Sequence, residues 1–283
     1  MRDSDTAALG VVTRLRRYPV KSMLGEDLTD SLVTERGLRQ DRGFALVHRE
    51  SGRVASAKNP RLWRGLLTMA ATAAADGTVT VSLPDGRVVR STDADADDVL
   101  SRSTGQPVTL TDVPPPDAAM ERSRPDEVLS NEVDTEVGFD LSRVGSAAPA
   151  GTFFDFAPVH LVTSSTLARV AELSPSGAVD WRRYRPNLVL DTPAAGFVEQ
   201  QWIDRELHIG PELVLRVIAS TPRCAVPTLA HGDLPRDLDA LRVPARHNRA
   251  RPLPSMSPEP CVGVYAKVLR PGRTTVSDPV RLR

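Results

Sequence analysis

The sequence predicts a β-rich α+β fold on three observations. At 283 residues the chain suits one large domain or two modest ones, and two is the default reading. Short runs of β-branched and aliphatic residues recur between turn residues, whereas stretches of helical periodicity are few and brief. From "VPPPDAAMERSRPDEVLSNEVD" to about residue 150 the periodicity is lost among prolines and charges, which predicts a connection or exposed loop. The division is therefore 1–115, a connecting segment 116–150, and 151–283.

In the first part "GVVTRLRRYPV", "DSLVTE", "GFALVH" and "RVAS" read as strands of a barrel or sheet. "GTVTVSLPDGRVVRS" reads as a hairpin turning at Pro84, Asp85 and Gly86. "DADADDVLSRS" has its acids early and Arg102 late, as a helix dipole favours, and stops at Gly105. In the second part "PVHLVT" is a strand, and Ser164 or Ser165 is placed to cap the helix "STLARVAEL". "NLVLD", "ELHIG", "LVLRVIAS" and "VGVYAKVL" read as strands. Leu238, Leu241 and Val243 share one face of a short helix.

With 36 basic and 36 acidic residues the formal net charge is zero, which removes a global electrostatic case for binding nucleic acid or an anionic membrane. An anion must be met locally. Lys21, Lys58 and Lys267 are the only lysines; the other basic residues are arginines, whose planar forks suit phosphate and carboxylate. The longest apolar run, "LLTMAATAAA", is far short of the roughly 20 residues that cross a bilayer, so no membrane span is expected. "MRDSDTAALG" lacks the apolar core of a secretory signal, and a cytoplasmic location is expected. There the two cysteines are expected to stay free thiols.

No GxSxG elbow, GxxxxGK[ST] loop, GxGxxG turn or paired-histidine zinc motif is present, which weakens hydrolase, NTPase, nicotinamide and zinc readings. Two cysteines cannot supply the four ligands of an iron-sulfur cluster. In "YPVKSM", Pro19 ends the preceding strand and leaves Lys21 and Ser22 at its end, as phosphate ligands or as a solvated turn. Asp41 and Arg42 precede an apolar strand, as an ion pair or with Arg42 reaching an anion. Arg185 and Asn187 stand at the mouth of "NLVLD", with Pro186 keeping Arg185 out of helix. In "STPRCAVPT", Cys224 follows Arg223 between Pro222 and Pro227. It fits a core filler, a nucleophile or a soft-metal ligand, and Arg223 favours its thiolate. Cys261, before an apolar strand, reads as core.

Seven ordered segments, "RYPVKSM", "GLRQDRGFALV", "FFDFAPVHLVTSSTL", "RYRPNLVLD", "FVEQQWIDRELHIG", "TPRCAVPT" and "GVYAKVLRPG", resemble the MOSC (molybdenum cofactor sulfurase C-terminal) family with its N-terminal β-barrel region. The resemblance implies a β-barrel-like domain over 1–115 and a MOSC β-barrel core with short helices over 151–283. Its amidoxime-reducing branch implies a molybdenum-pyranopterin cofactor ligated by Cys224. Lys21, Ser22, Arg42, Thr163, Ser164, Arg185 and Asn187 would hold the pterin and its phosphate, with Arg223 supporting the thiolate. The implied activity is reduction of N-hydroxylated small molecules. The chain ends at Arg283 without a ferredoxin-like domain, so a separate electron donor of ferredoxin, flavoprotein or cytochrome type is expected. Sulfur carriage through a Cys224 persulfide is the alternative. Asp155 and Tyr265 are lesser candidates for pocket or proton roles. The family's Gly-Asp turn reads Ser277-Asp278 here.

Overall fold

The computed structural model describes residues 8–130, 135 and 138–283. Seven strands form a closed barrel: β1 Gly10–Arg17, β2 Val159–Thr163, β3 Leu188–Asp191, β4 Glu206–Ile209, β5 Leu213–Pro222, β6 Glu259–Arg270 and β7 Pro279–Leu282. Around the ring the order is β2, β3, β1, β7, β4, β5, β6, and β6 pairs back onto β2. Only β2 and β3 run parallel, which requires a crossover; the helix Ser164–Leu173 lies in that connection. Val12, Leu15, Leu161, Leu188, Leu207, Leu215, Val264 and Val280 fill the barrel, each at most 1% exposed.

Dividing the chain at residue 115 does not separate this barrel from the first part. β1 pairs with β3 through Val12 and Leu190 and with β7 through Gly10 and Val280, so the ring needs a strand from the beginning of the chain. Asp30–Thr34 likewise pairs with Gly272–Thr275. Val12 and Leu15 of β1 both face the core although three residues apart, because the ladder shifts register between Val12 and Arg14; nothing local to β1 shows which sheet receives it. The rest of the first part wraps a second core of Val20, Met23, Leu46, Trp63, Leu66 and Leu100. The predicted hairpin is present over Val79–Ser82 and Val88–Arg90, with Gly86 at φ +87°, and the acid-led helix spans Ala96–Thr104 and ends at left-handed Gly105.

The connecting segment is partly ordered sheet. Ala119–Ser123 pairs antiparallel with Phe139–Arg143, a pairing that its prolines and charges concealed; 131–134 and 136–137 of this segment lie outside the described residues. Ser277 adopts left-handed backbone at φ +80°, and its N–H donates to the Val12 carbonyl at 2.7 Å. Both cysteines are free.

Candidate functional site

Three non-glycine residues with left-handed backbone meet at one cavity beside the barrel mouth: Ser22 at φ +66°, Arg42 at +46° and Arg185 at +55°. Each such conformation costs on the order of 1–3 kcal/mol and persists where the surroundings over-determine it, typically at binding sites. Pro186 predicts extended backbone for Arg185. Instead Arg185 closes the turn Trp181–Tyr184, its N–H donating to the Arg182 carbonyl at 3.1 Å, and this aims its side chain at Tyr18.

Tyr18, 2% exposed, is the centre of this wall. The guanidiniums of Arg42 and Arg185 each lie 4.3 Å from its ring centroid, and its hydroxyl donates to the Pro186 carbonyl at 3.3 Å. Asp41 sets the stack from behind. Its fully buried carboxylate accepts from the Tyr18 N–H at 2.6 Å, Arg42 Nη1 at 2.5 Å and Asn187 Nδ2 at 2.9 Å. Arg42 also donates to the Arg185 carbonyl at 3.3 Å. The guanidinium of Arg185 has no hydrogen-bond or ion-pair partner among the described residues, and burial lowers its pKa to about 10.

Lys21 and Lys58 close the opposite side around Asp155. Lys21 Nζ donates to Asp155 Oδ1 at 2.5 Å and to the Phe153 carbonyl at 2.8 Å, while Lys58 Nζ lies 3.0 Å from Asp155 Oδ2. Burial lowers the Lys21 pKa to about 8 despite that carboxylate. Burial alone would raise Asp155, but the two lysines outweigh it and hold its pKa well below the ordinary carboxylate value. Two of the chain's three lysines therefore serve one cavity.

Cys224 and Arg223 enter from the end of β5, where the ladder to β6 shifts register between Ser220 and Pro222 and carries the chain off the barrel rim. Both are 7% exposed and line the cavity. Arg223 Nη2 donates to the Tyr184 carbonyl at 2.9 Å, whereas its Nε is buried without a partner. His160 lies beside them as a neutral ring, since burial and then Arg223 push its pKa well below the usual imidazole value. Its two nitrogens are 3.4 Å from the Arg185 and Val262 carbonyls, and its single N–H can serve only one of them. Gly263, at φ +79°, is required here because a Cβ would stand 2.6 Å from His160 Nε2 and 2.5 Å from the Leu161 carbonyl oxygen. Tyr265 packs on His160 with ring centroids 5.7 Å apart, and burial raises its phenol pKa.

The cavity thus gathers Lys21, Lys58, Arg42, Arg185, Arg223 and one thiol, against the carboxylates of Asp41 and Asp155, which are already engaged. That surplus of buried positive charge is costly unless an anion fills it. Among the described residues no group of three or more histidines, cysteines or acids could cage a metal ion. The donor set fits a thiophilic metal that brings its own ligands on an anionic carrier.

Two family models match the chain: the MOSC N-terminal beta barrel domain over residues 9–120 and the MOSC domain over 149–281. The chain belongs to the MOSC family. Comparison with curated proteins gives no match. Among solved structures it is similar to YiiM from Geobacillus stearothermophilus, at 14% identity and TM-score 0.32, over 45% of this chain and 54% of that one, so it spans about half of that relative's length. It is also similar to the YUAD protein from Bacillus subtilis, at 8% identity and TM-score 0.35, over 97% and 93% of the two chains. No helix among the described residues of this MOSC protein is long and apolar enough to cross a membrane.

Of the residues singled out in the sequence, Lys21, Ser22, Arg42, Arg185, Asn187, Arg223 and Cys224 line this cavity of the MOSC protein. Thr163 and Ser164 do not. Thr163, 0% exposed, caps the helix Ser164–Leu173 by accepting the Thr166 N–H at 3.1 Å and donates to Glu199 at 2.8 Å. Ser164 Oγ donates to Asp191 at 2.5 Å. The cap is thus Thr163, not Ser164 or Ser165, and both hydroxyls are spent on the fold. Asn187 reaches the wall, yet its amide is committed: it donates to the Arg16 carbonyl and Asp41 and accepts from the His160 N–H. It braces Asp41 from behind the cavity wall. Tyr18, Lys58 and His160 were missed by sequence reasoning; the scarcity of lysine was the one available signal, for Lys58.

The Lys21 pKa carries a pH dependence. Sulfate keeps its charge between pH 6 and 10, so its affinity reports the pocket alone. A bound anion favours protonated Lys21; affinity is therefore full below pH about 8 and declines as pH rises through it, by at most about tenfold per unit for one proton. Calorimetric titration across that range is expected to show this inflection, and Lys21→Arg is expected to remove it.

Proposed function

We propose that this pocket binds molybdenum-pyranopterin cofactor and that the loaded protein reduces N-hydroxylated compounds. The observation that carries the reading is the convergence of one thiol with five cations in a single cavity where Arg185 lacks any anionic partner among the described residues. Cys224 would ligate the metal, with Arg42, Arg185, Lys21 and Lys58 facing the phosphate. Ser22 Oγ, which accepts the Ala57 N–H at 3.1 Å, keeps its own hydrogen free to donate. The cofactor, when bound, supplies two-electron removal of oxygen from the substrate. The chain's residues orient the anion, exclude water and hold protons. Asp155 keeps Lys21 within reach of its ammonium form, and Tyr265 retains the proton on its phenol oxygen at neutral pH. Electrons come from a separate protein of ferredoxin, flavoprotein or cytochrome type.

Release of benzamidine from benzamidoxime by chemically reduced, cofactor-loaded protein tests the reading; loaded protein that releases none contradicts it. Sulfur carriage by a Cys224 persulfide is the second reading, supported by the opening of Cys224 onto a second cavity as well as the first. Labelled sulfur retained on Cys224 in metal-free protein would favour it.

A further inference from the structure

We propose that the second cavity is a substrate chamber that selects compounds carrying a carboxylate on an apolar body; the reacting end of such a compound rests on the reductase reading above. The chamber holds about 300 Å³, the lower end of small-molecule sites and enough for a single-ring compound. It shares Lys58, Asp155, Arg223, Cys224 and Tyr265 with the cofactor pocket, so anything seated in it lies against the reactive wall.

Its outer wall is the strand Ala119–Ser123. Alternation along that strand sends Glu121 away, to Arg53 and Asn59, and leaves Met120 and Arg122 on the chamber side. Ser142 of the partner strand stands opposite Met120 on the same face. Met120, Phe156, Leu253 and Met256 make the apolar surface, with flexible methionines that adapt to shape. The Arg122 guanidinium has no ion pair or hydrogen bond among the described residues. Asp140, opposite Arg122 in the ladder, lies 3.9 Å from Arg124 Nη2 instead; Asp155 is held by two lysines, and the other outer arginine, Arg143, faces Asp117 at 3.3 Å. Deeper in, Ser220, 1% exposed, has a buried hydroxyl without a partner. One uncommitted guanidinium beside an apolar chamber with a spare hydroxyl matches a carboxylate attached to a ring or chain.

The probes are para-carboxybenzamidoxime and para-carbamoylbenzamidoxime, which differ in charge at one end only. Calorimetry on the holoprotein is expected to give an affinity ratio of about tenfold in favour of the carboxylate, with Arg122→Ala reducing the ratio to about one and Arg122→Lys retaining part of it. A wild-type ratio near one, or a ratio unchanged in Arg122→Ala, overturns the proposal. Binding is read without turnover, so the two readings fail separately. A carboxylate preference lost in Arg122→Ala while neither probe is reduced supports the chamber and sinks the reductase reading. Reduction of both probes with no preference does the reverse.

Discussion

Cys224→Ser is expected to lower the molybdenum content of protein from a cofactor-competent host by about tenfold or more, because a serine hydroxyl stays protonated where a thiol ionises and ligates. The substitution is nearly isosteric at a position 7% exposed, so the melting temperature should move by no more than about 3 °C. Metal analysis and a thermal scan of the same sample separate loss of the ligand from loss of the fold. Full metal retention in the variant removes Cys224 from the site. Cys261→Ser serves as the contrast, since that sulfur is 0% exposed and burial raises its pKa to about 11, as expected of a core residue.

Asp41→Ala is expected to be the most destabilising single change at the site. The carboxylate has no solvent exposure and satisfies three donors from separate parts of the chain: the Tyr18 N–H, Arg42 and Asn187. Its removal leaves an uncompensated guanidinium in the stack over Tyr18 and two orphaned buried donors, a loss of about 3–5 kcal/mol. Denaturant unfolding measures this as a lowered midpoint. A loss below about 1 kcal/mol would mean that Arg42 is not held by this carboxylate.

Strands and short helices were legible because their signals are local: apolar alternation, the Pro84-Asp85-Gly86 turn, and an acid-led helix ended by Gly105. Membership of β1 in the barrel was not, because the partner of a strand is fixed by distant residues such as Leu188 and Leu190. Cavity-lining basic and polar side chains were legible as types at strand ends, yet the sequence could not tell Arg185, which has no acceptor among the described residues, from Asn187, whose amide is fully used. Thr163 illustrates the same limit. A hydroxyl at a strand-helix junction serves equally as a ligand or a cap, and only the Thr166 N–H and Glu199 carboxylate beside it decide. Left-handed backbone at Ser22, Arg42 and Arg185 has no sequence signature, since glycine is absent from all three positions.

The central proposal is a buried basic pocket completed by a phosphate-bearing molybdenum group. Molybdenum and organic phosphate, quantified together in wild-type protein made by cofactor-competent cells, test this most directly. The expected result is about one of each per chain, released together on denaturation. Protein from those cells that carries neither contradicts it.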